Sequence, residues 1–311
     1  MSTPTKPTGI LLMTYGSATT SRDAEPFLSH VYPHPSQELI DEFKRRFDIV
    51  GSSPLVQITI NQAAALEQLL ASRVGEGHYA VEAGMLHSTP FINDAVAKLK
   101  ARGAHRILGL LLSPQYSPHI MRGYDQALVT AGEKSGFKPS QVTMLGEWST
   151  EPKFIQLLSD GLLQLRTELQ AKYGQPIPVV FTTHSLPEKV VKRDPSYLDQ
   201  LEATMQAVAG AAQLQPAEYQ AAYQSAGHTP EEWLKPDLND VIAGLKAKKV
   251  PAVIVVPIQF LADHLEILYD LDTAAREETE AGGVHYHRLP VANLNPLFIE
   301  ALADLTQRSA T

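Results

Sequence analysis

Along this chain, short apolar runs alternate with longer stretches in which apolar positions recur every third or fourth residue. The short runs predict strands at Gly9–Tyr15, Tyr79–Leu86, Arg106–Ser113, Val142–Trp148, Pro178–Thr183, Tyr219–Gln224 and Ala252–Gln259. The longer stretches predict helices at Ile58–Ala71, Pro90–Ala101, Phe154–Lys172, Tyr197–Ala212 and Pro296–Gln307. Strand and helix in alternation at this spacing predict βαβ units. A parallel neighbour can be reached only by a crossover, and a helix is its usual form.

An internal echo divides the chain. Met85-Leu86-His87-Ser88-Thr89-Pro90 and Thr182-Thr183-His184-Ser185-Leu186-Pro187 each run from an apolar strand into His-Ser-x-Pro. In both, the serine is placed to cap a coming helix whose first turn tolerates the proline. Taken as a duplication, the echo predicts an α/β fold of two Rossmann-like, doubly wound domains with parallel sheets. They would cover residues 1–149 and 150–311, with a boundary near Trp148 to Pro152 and the last helix free to cap either domain. Ligands of such sheets bind beyond the carboxyl ends of the strands, where both histidines fall.

Composition narrows the function. The 311 residues are 44% hydrophobic and 19% charged, ordinary for a globular chain of about two domains. The net charge is −8 and the basic residues are scattered, so no nucleic acid partner is expected. The absence of cysteine excludes disulfides, thiolate zinc sites, cysteine-ligated iron–sulfur clusters and cysteine nucleophiles. Met1–Pro7 is polar and unlike a signal peptide. Apolar runs such as Ala252–Phe260 fall far short of the ~20 residues that span a bilayer. A cytoplasmic protein without a transmembrane segment is expected. Tyr15-Gly16-Ser17 follows the first strand, but no glycine-rich phosphate loop does.

Three places could carry chemistry. His184 at a strand end can accept a proton or ligate a divalent metal, or simply hydrogen-bond at a helix start. In Phe260-Leu261-Ala262-Asp263-His264-Leu265-Glu266-Ile267-Leu268-Tyr269-Asp270, Asp263 stands where a helix N-cap would. Glu266 and Asp270 are four apart and share a helical face. Such a pair on one face is ordinarily a solvated acidic surface, and it also suits a cation such as ferrous iron. Tyr15 could face a ligand or iron, or be a partly buried structural phenol.

Taken together, these segments resemble the ferrochelatases along nearly the whole chain. The resemblance rests on Leu12-Met13-Thr14-Tyr15-Gly16, Gly51-Ser52-Ser53-Pro54-Leu55, Thr183-His184-Ser185-Leu186-Pro187 and Gln224-Ser225-Ala226-Gly227, followed by Trp233-Leu234-Lys235-Pro236-Asp237 and Asp263 to Asp270. It implies a chelatase-like pair of Rossmann domains around a porphyrin cleft, and insertion of Fe2+ as a substrate with no permanently bound cofactor. His184 and Glu266 would be the catalytic, metal-site pair, Asp270 the next carboxylate outward, and Tyr15 axial to the iron. The Tyr-Gly motif, short chain and lack of cysteine are most similar to the Gram-positive-type coproporphyrin III ferrochelatases. That branch implies Arg46, Ser53 and Tyr124 as contacts to the porphyrin propionates, and a partner enzyme in the haem pathway. A protoporphyrin IX ferrochelatase and a non-catalytic tetrapyrrole or iron carrier are the alternatives. The chain departs from the family in three places. His30-Val31-Tyr32-Pro33-His34 stands where relatives place an arginine pair, Phe47 where a tyrosine is usual, and Ala274 where a glutamate would extend the row from Glu266 and Asp270.

Overall fold

A computed structural model describes residues 6–227 and 231–310, so Met1–Thr5 of the polar N-terminal stretch lies outside the described residues. The strands are β1 (Thr8–Thr14), β2 (Tyr79–Met85), β3 (Arg106–Leu111), β4 (Val142–Leu145), β5 (Val179–His184), β6 (Tyr219–Gln224), β7 (Ala252–Pro257) and β8 (His285–Arg288). They form two four-stranded sheets, ordered β2-β1-β3-β4 and β6-β5-β7-β8, and every pairing is parallel. The α-helices are α1 (Ala24–Val31), α2 (Gln37–Val50), α3 (Leu55–Val74), α4 (Ile92–Ala101), α5 (Arg122–Lys134), α6 (Pro152–Tyr173), α7 (Glu188–Val191), α8 (Ser196–Ala211), α9 (Leu238–Ala247), α10 (Arg276–Ala281) and α11 (Pro296–Ala310). Among the described residues, no helix is long and apolar enough to cross a membrane.

Strand position explains strand composition. Interior β1 and β7 are buried along their whole length, because a parallel sheet covered by helices on both faces leaves no wet side. The edge strands β4, β6 and β8 mix buried with exposed positions. This is why β8 escapes a search for apolar runs. Of His285, Tyr286, His287 and Arg288, only Tyr286 is buried.

The strand order also corrects the internal echo. By place in the sheet, β5 is the counterpart of β1 and β6 of β2. His184 ends interior β5, whereas His87 follows edge strand β2, so the two His-Ser-x-Pro segments are not equivalent. Tyr15, directly after β1, is the counterpart of His184. Neither serine caps a helix: Ser88 Oγ accepts from the Ser17 amide at 3.2 Å, and Ser185 Oγ donates to the Leu234 carbonyl at 3.3 Å. The turn after β1 requires glycine, since Gly16 has φ +89° and a Cβ there would collide with Ser88 Oγ.

The chain divides into two units. One comprises residues up to Trp148 with Ala262–His264 and Asn293 onward, the other Ser149–Leu261 with Leu265–Ala292. The last helix therefore groups with the first unit. Within it, Arg73 of α3 pairs with Asp304 of α11 at 2.6 Å, Gln62 Nε2 donates to the Asn293 carbonyl at 2.7 Å, and Trp148 lies 6.4 Å from Phe298. In the second unit, Val180, Val253, Val255, Ile242, Ile267 and Leu271 share one core.

Candidate functional site

In the order β6-β5-β7-β8 the chain leaves β5 in one direction to form β6 and returns on the other side as β7. The crevice at the carboxyl ends of β5 and β7 is the switch point where such sheets bind ligands. His184, half-buried, ends β5 there, and its Nε2 lies 3.7 Å from Glu266 Oε2. Nδ1 contacts the Ser185 carbonyl at 2.5 Å. A carbonyl can only accept, so Nδ1 carries the proton of the neutral ring and Nε2 keeps its lone pair. The separation from Glu266 is longer than a direct hydrogen bond. It is a gap that a single metal ion can bridge. Phe260 stands edge-on to the imidazole at 6.4 Å.

Glu266 precedes a π-helical segment, Ile267–Ala275, where an ordinary helix is expected from sequence. Its wide turn is visible in Thr273 Oγ1, which donates to the Leu268 carbonyl five residues back at 2.9 Å. Such segments recur at functional sites. Asp270 lies within it and accepts a hydrogen bond from Ser225 Oγ, while Ser225, just past β6, has φ +58°. Ala274 is exposed, and Asp272 is taken by a two-pronged pair with Arg288, 2.7 Å on each oxygen. Asp263 forms a reciprocal pair with Asn293, accepting from Nδ2 at 2.7 Å and donating its amide to Oδ1 at 2.9 Å.

The remaining candidates belong to the first unit. Tyr15 is 45% exposed, with its ring 4.4 Å from His87 and 6.4 Å from Phe27. Burial pushes the Tyr124 phenol well up, with the nearby Tyr15 a second cause. Ser53 is buried and its Oγ accepts from Ser17 Oγ at 2.9 Å. Arg46 is tied to Glu42 at 2.9 Å, and Arg45 first, then Arg46, hold the Glu42 carboxyl down at about 2. His30, in the segment that replaces the arginine pair, meets His87 through their Nδ1 atoms at 3.1 Å. Burial first, and then His30, pull the His87 pKa down. Tyr32 is 49% exposed. Phe47 is a core residue 6.4 Å from Phe43, a place where a tyrosine hydroxyl would need a buried partner.

His184 and Glu266 are thus brought together, as are Tyr15 and Tyr124. Among the described residues, no group of three or more histidine, aspartate or glutamate side chains forms a metal cage. Sequence reasoning missed Gln259, Tyr197, Ser225 and His87 as neighbours of the candidates. The available signal for Gln259 was a lone polar residue between Ile258 and Phe260, past the end of an apolar strand.

Known proteins share this chain's pattern. The family model described as Ferrochelatase matches residues 7–310. The coproporphyrin III ferrochelatase of Geobacillus kaustophilus is 35% identical over 304 residues, 96% of this chain and 95% of the relative. That of Oceanobacillus iheyensis is 33% identical over 309 residues, 98% of this chain and 97% of the relative. Among solved structures, SirB from Bacillus subtilis with Fe3+ has a TM-score of 0.55 at 13% identity, covering 98% of this chain and 96% of its own. CbiX, the terminal enzyme of siroheme biosynthesis in denitrifying bacteria, has a TM-score of 0.55 at 14% identity, with 98% and 100% covered. At those identities the likeness concerns the fold alone.

Proposed function

The chain belongs to the ferrochelatase family, the metal chelatases that insert iron into a porphyrin, and on that basis we propose that it makes coproheme from coproporphyrin III with His184 and Glu266 as its catalytic pair. The observation that carries the pair is the free Nε2 lone pair held 3.7 Å from a carboxylate at the strand-switch crevice. Insertion exchanges two pyrrole protons for one Fe2+, so a base must stand near the ring nitrogens. His184 Nε2 accepts the two protons in turn, releasing the first to solvent before taking the second, and Glu266 both draws the cation and offsets the charge of the imidazolium that results. Asp270, held by Ser225, is the next carboxylate along the path of the cation. Iron and porphyrin are both substrates, and by the family resemblance Tyr15 would offer its phenol to the iron of the product.

The choice of coproporphyrin III is supported by the names of relatives that match nearly full length. Arg46, Ser53 and Tyr124 would hold propionates, Arg46 by sharing its guanidinium between Glu42 and the incoming carboxylate. Anaerobic iron insertion, followed by loss of porphyrin fluorescence, tests the proposal. Coproporphyrin III should give a higher kcat/KM than protoporphyrin IX under the same detergent, and equal values would remove the substrate assignment. His184→Ala should abolish insertion while the fold persists. Insertion by that variant at the parent rate would overturn the catalytic pair.

A further inference from the structure

The ladder between β5 and β7 is regular up to Thr182, whose carbonyl accepts from the Ile258 amide at 3.1 Å. The next rung of a parallel ladder would join the His184 amide to the carbonyl of Ile258, one residue past β7. Instead that amide donates to a side chain, Gln259 Oε1, at 3.0 Å. A backbone N–H can only donate, so this contact also sets which way the Gln259 amide faces. Its Nε2 then donates to the hydroxyl of Tyr197, in the first turn of α8. Tyr197 is 1% exposed, so the far end of this relay is anchored in the core of the second unit.

The consequence falls on the imidazole. His184 Nδ1 is satisfied by the carbonyl of the adjoining residue, Ser185, so the main chain at 184–185 sets both the tautomer and the direction of Nε2. Whatever holds that main chain sets the distance to Glu266. We infer that Gln259 is a positioning residue that keeps His184 Nε2 opposite Glu266, with the Tyr197 hydroxyl as its anchor. The inference rests on the catalytic reading of His184 given above. It goes beyond that reading in assigning a role to a residue whose side chain is engaged by the His184 amide and the Tyr197 hydroxyl.

Two substitutions separate positioning from mere structural support. Gln259→Ala removes both hydrogen bonds, and single-turnover iron insertion should fall roughly 10- to 100-fold, the scale of a misplaced catalytic group, with porphyrin affinity by fluorescence unchanged. Gln259→Glu keeps an acceptor for the His184 amide. Burial holds the Tyr197 phenol in its protonated form, so that hydroxyl can turn and donate to the new carboxylate. This variant should regain most of the rate at alkaline pH. Parent-like insertion by Gln259→Ala, or a rate in Gln259→Glu no higher than in Gln259→Ala, would overturn the inference. If Gln259→Ala does not fold, Tyr197→Phe decides instead, since it removes only the anchoring hydroxyl: slower insertion at unchanged porphyrin affinity supports the inference and a parent-like rate overturns it. Hydrogen exchange of the His184 amide reads the contact itself, whether or not the ring is catalytic. Faster exchange in Gln259→Ala together with intact insertion by His184→Ala would strike down the catalytic reading and leave the contact standing.

Discussion

At the scale of single residues, the pairing of His184 with Glu266 makes separable demands on charge and shape. Glutamine in place of Glu266 keeps the side chain's size and removes the charge that, on the proposed mechanism, would draw iron and balance the imidazolium. Glu266→Gln should therefore bind porphyrin as the parent does and insert iron about 100- to 10,000-fold more slowly, the usual span for a positioned acid–base group. Anaerobic single-turnover metalation, paired with fluorescence binding, checks both halves. A loss under about tenfold would return Glu266 to a solvated acidic face. The departures from the family also resolve into local physics. Phe47 is sealed in the core, Ala274 is exposed, and Asp272 is already neutralised by Arg288.

At the scale of elements, the open edge of the first sheet is guarded by side chains. Among the described residues β1 is the one strand that β2 pairs with, and apart from the bridge of Met85 to Phe91 at its end its outer amides and carbonyls have no strand to meet. Glu67 of α3 accepts the Val81 amide at 2.7 Å, and Arg102, just after α4, donates to the Val81 carbonyl at 3.2 Å. Arg102 also bonds Glu67 at 2.5 Å and Glu82 at 3.1 Å, closing the network. Val81 is buried, so an orphaned amide there costs about 1–3 kcal/mol. Glu67→Ala should lose about that much stability in urea unfolding and self-associate more readily in size-exclusion chromatography. An unchanged midpoint and elution volume would show that water serves the edge equally well. A pattern search detects β2 from its apolar run and is blind to the guard, because Glu67 lies in α3 and Arg102 just past α4, far from Val81 in sequence.

At the scale of the whole molecule, the first unit is completed by the end of the chain. Phe298, Ala301, Leu302 and Ala303 of α11 are fully buried, and the helix docks on α3 through the Arg73–Asp304 pair. Leu302→Ala should cost ~2–5 kcal/mol, as large-to-small changes in a core do, a sizeable part of the ~5–15 kcal/mol that holds a domain folded. Chemical denaturation measures it, and a loss under about 1 kcal/mol would mean that α11 is not integral to that core. What the sequence determined by itself was the alternation of strand and helix, the parallel α/β class, and the segments around Tyr15, His184 and Glu266. These are recorded locally, since burial on one or two faces imposes its own period on neighbouring residues. Only the tertiary structure decided the strand order that makes Tyr15, not His87, the counterpart of His184. It also decided the edge strand β8, the π-helical turn after Glu266, the pairing of Asp263 with Asn293, and the Gln259 contact to an amide 75 residues away. Each joins groups far apart in sequence or depends on which hydrogen-bond partner is nearest after folding, and an apolar pattern states only which face is buried.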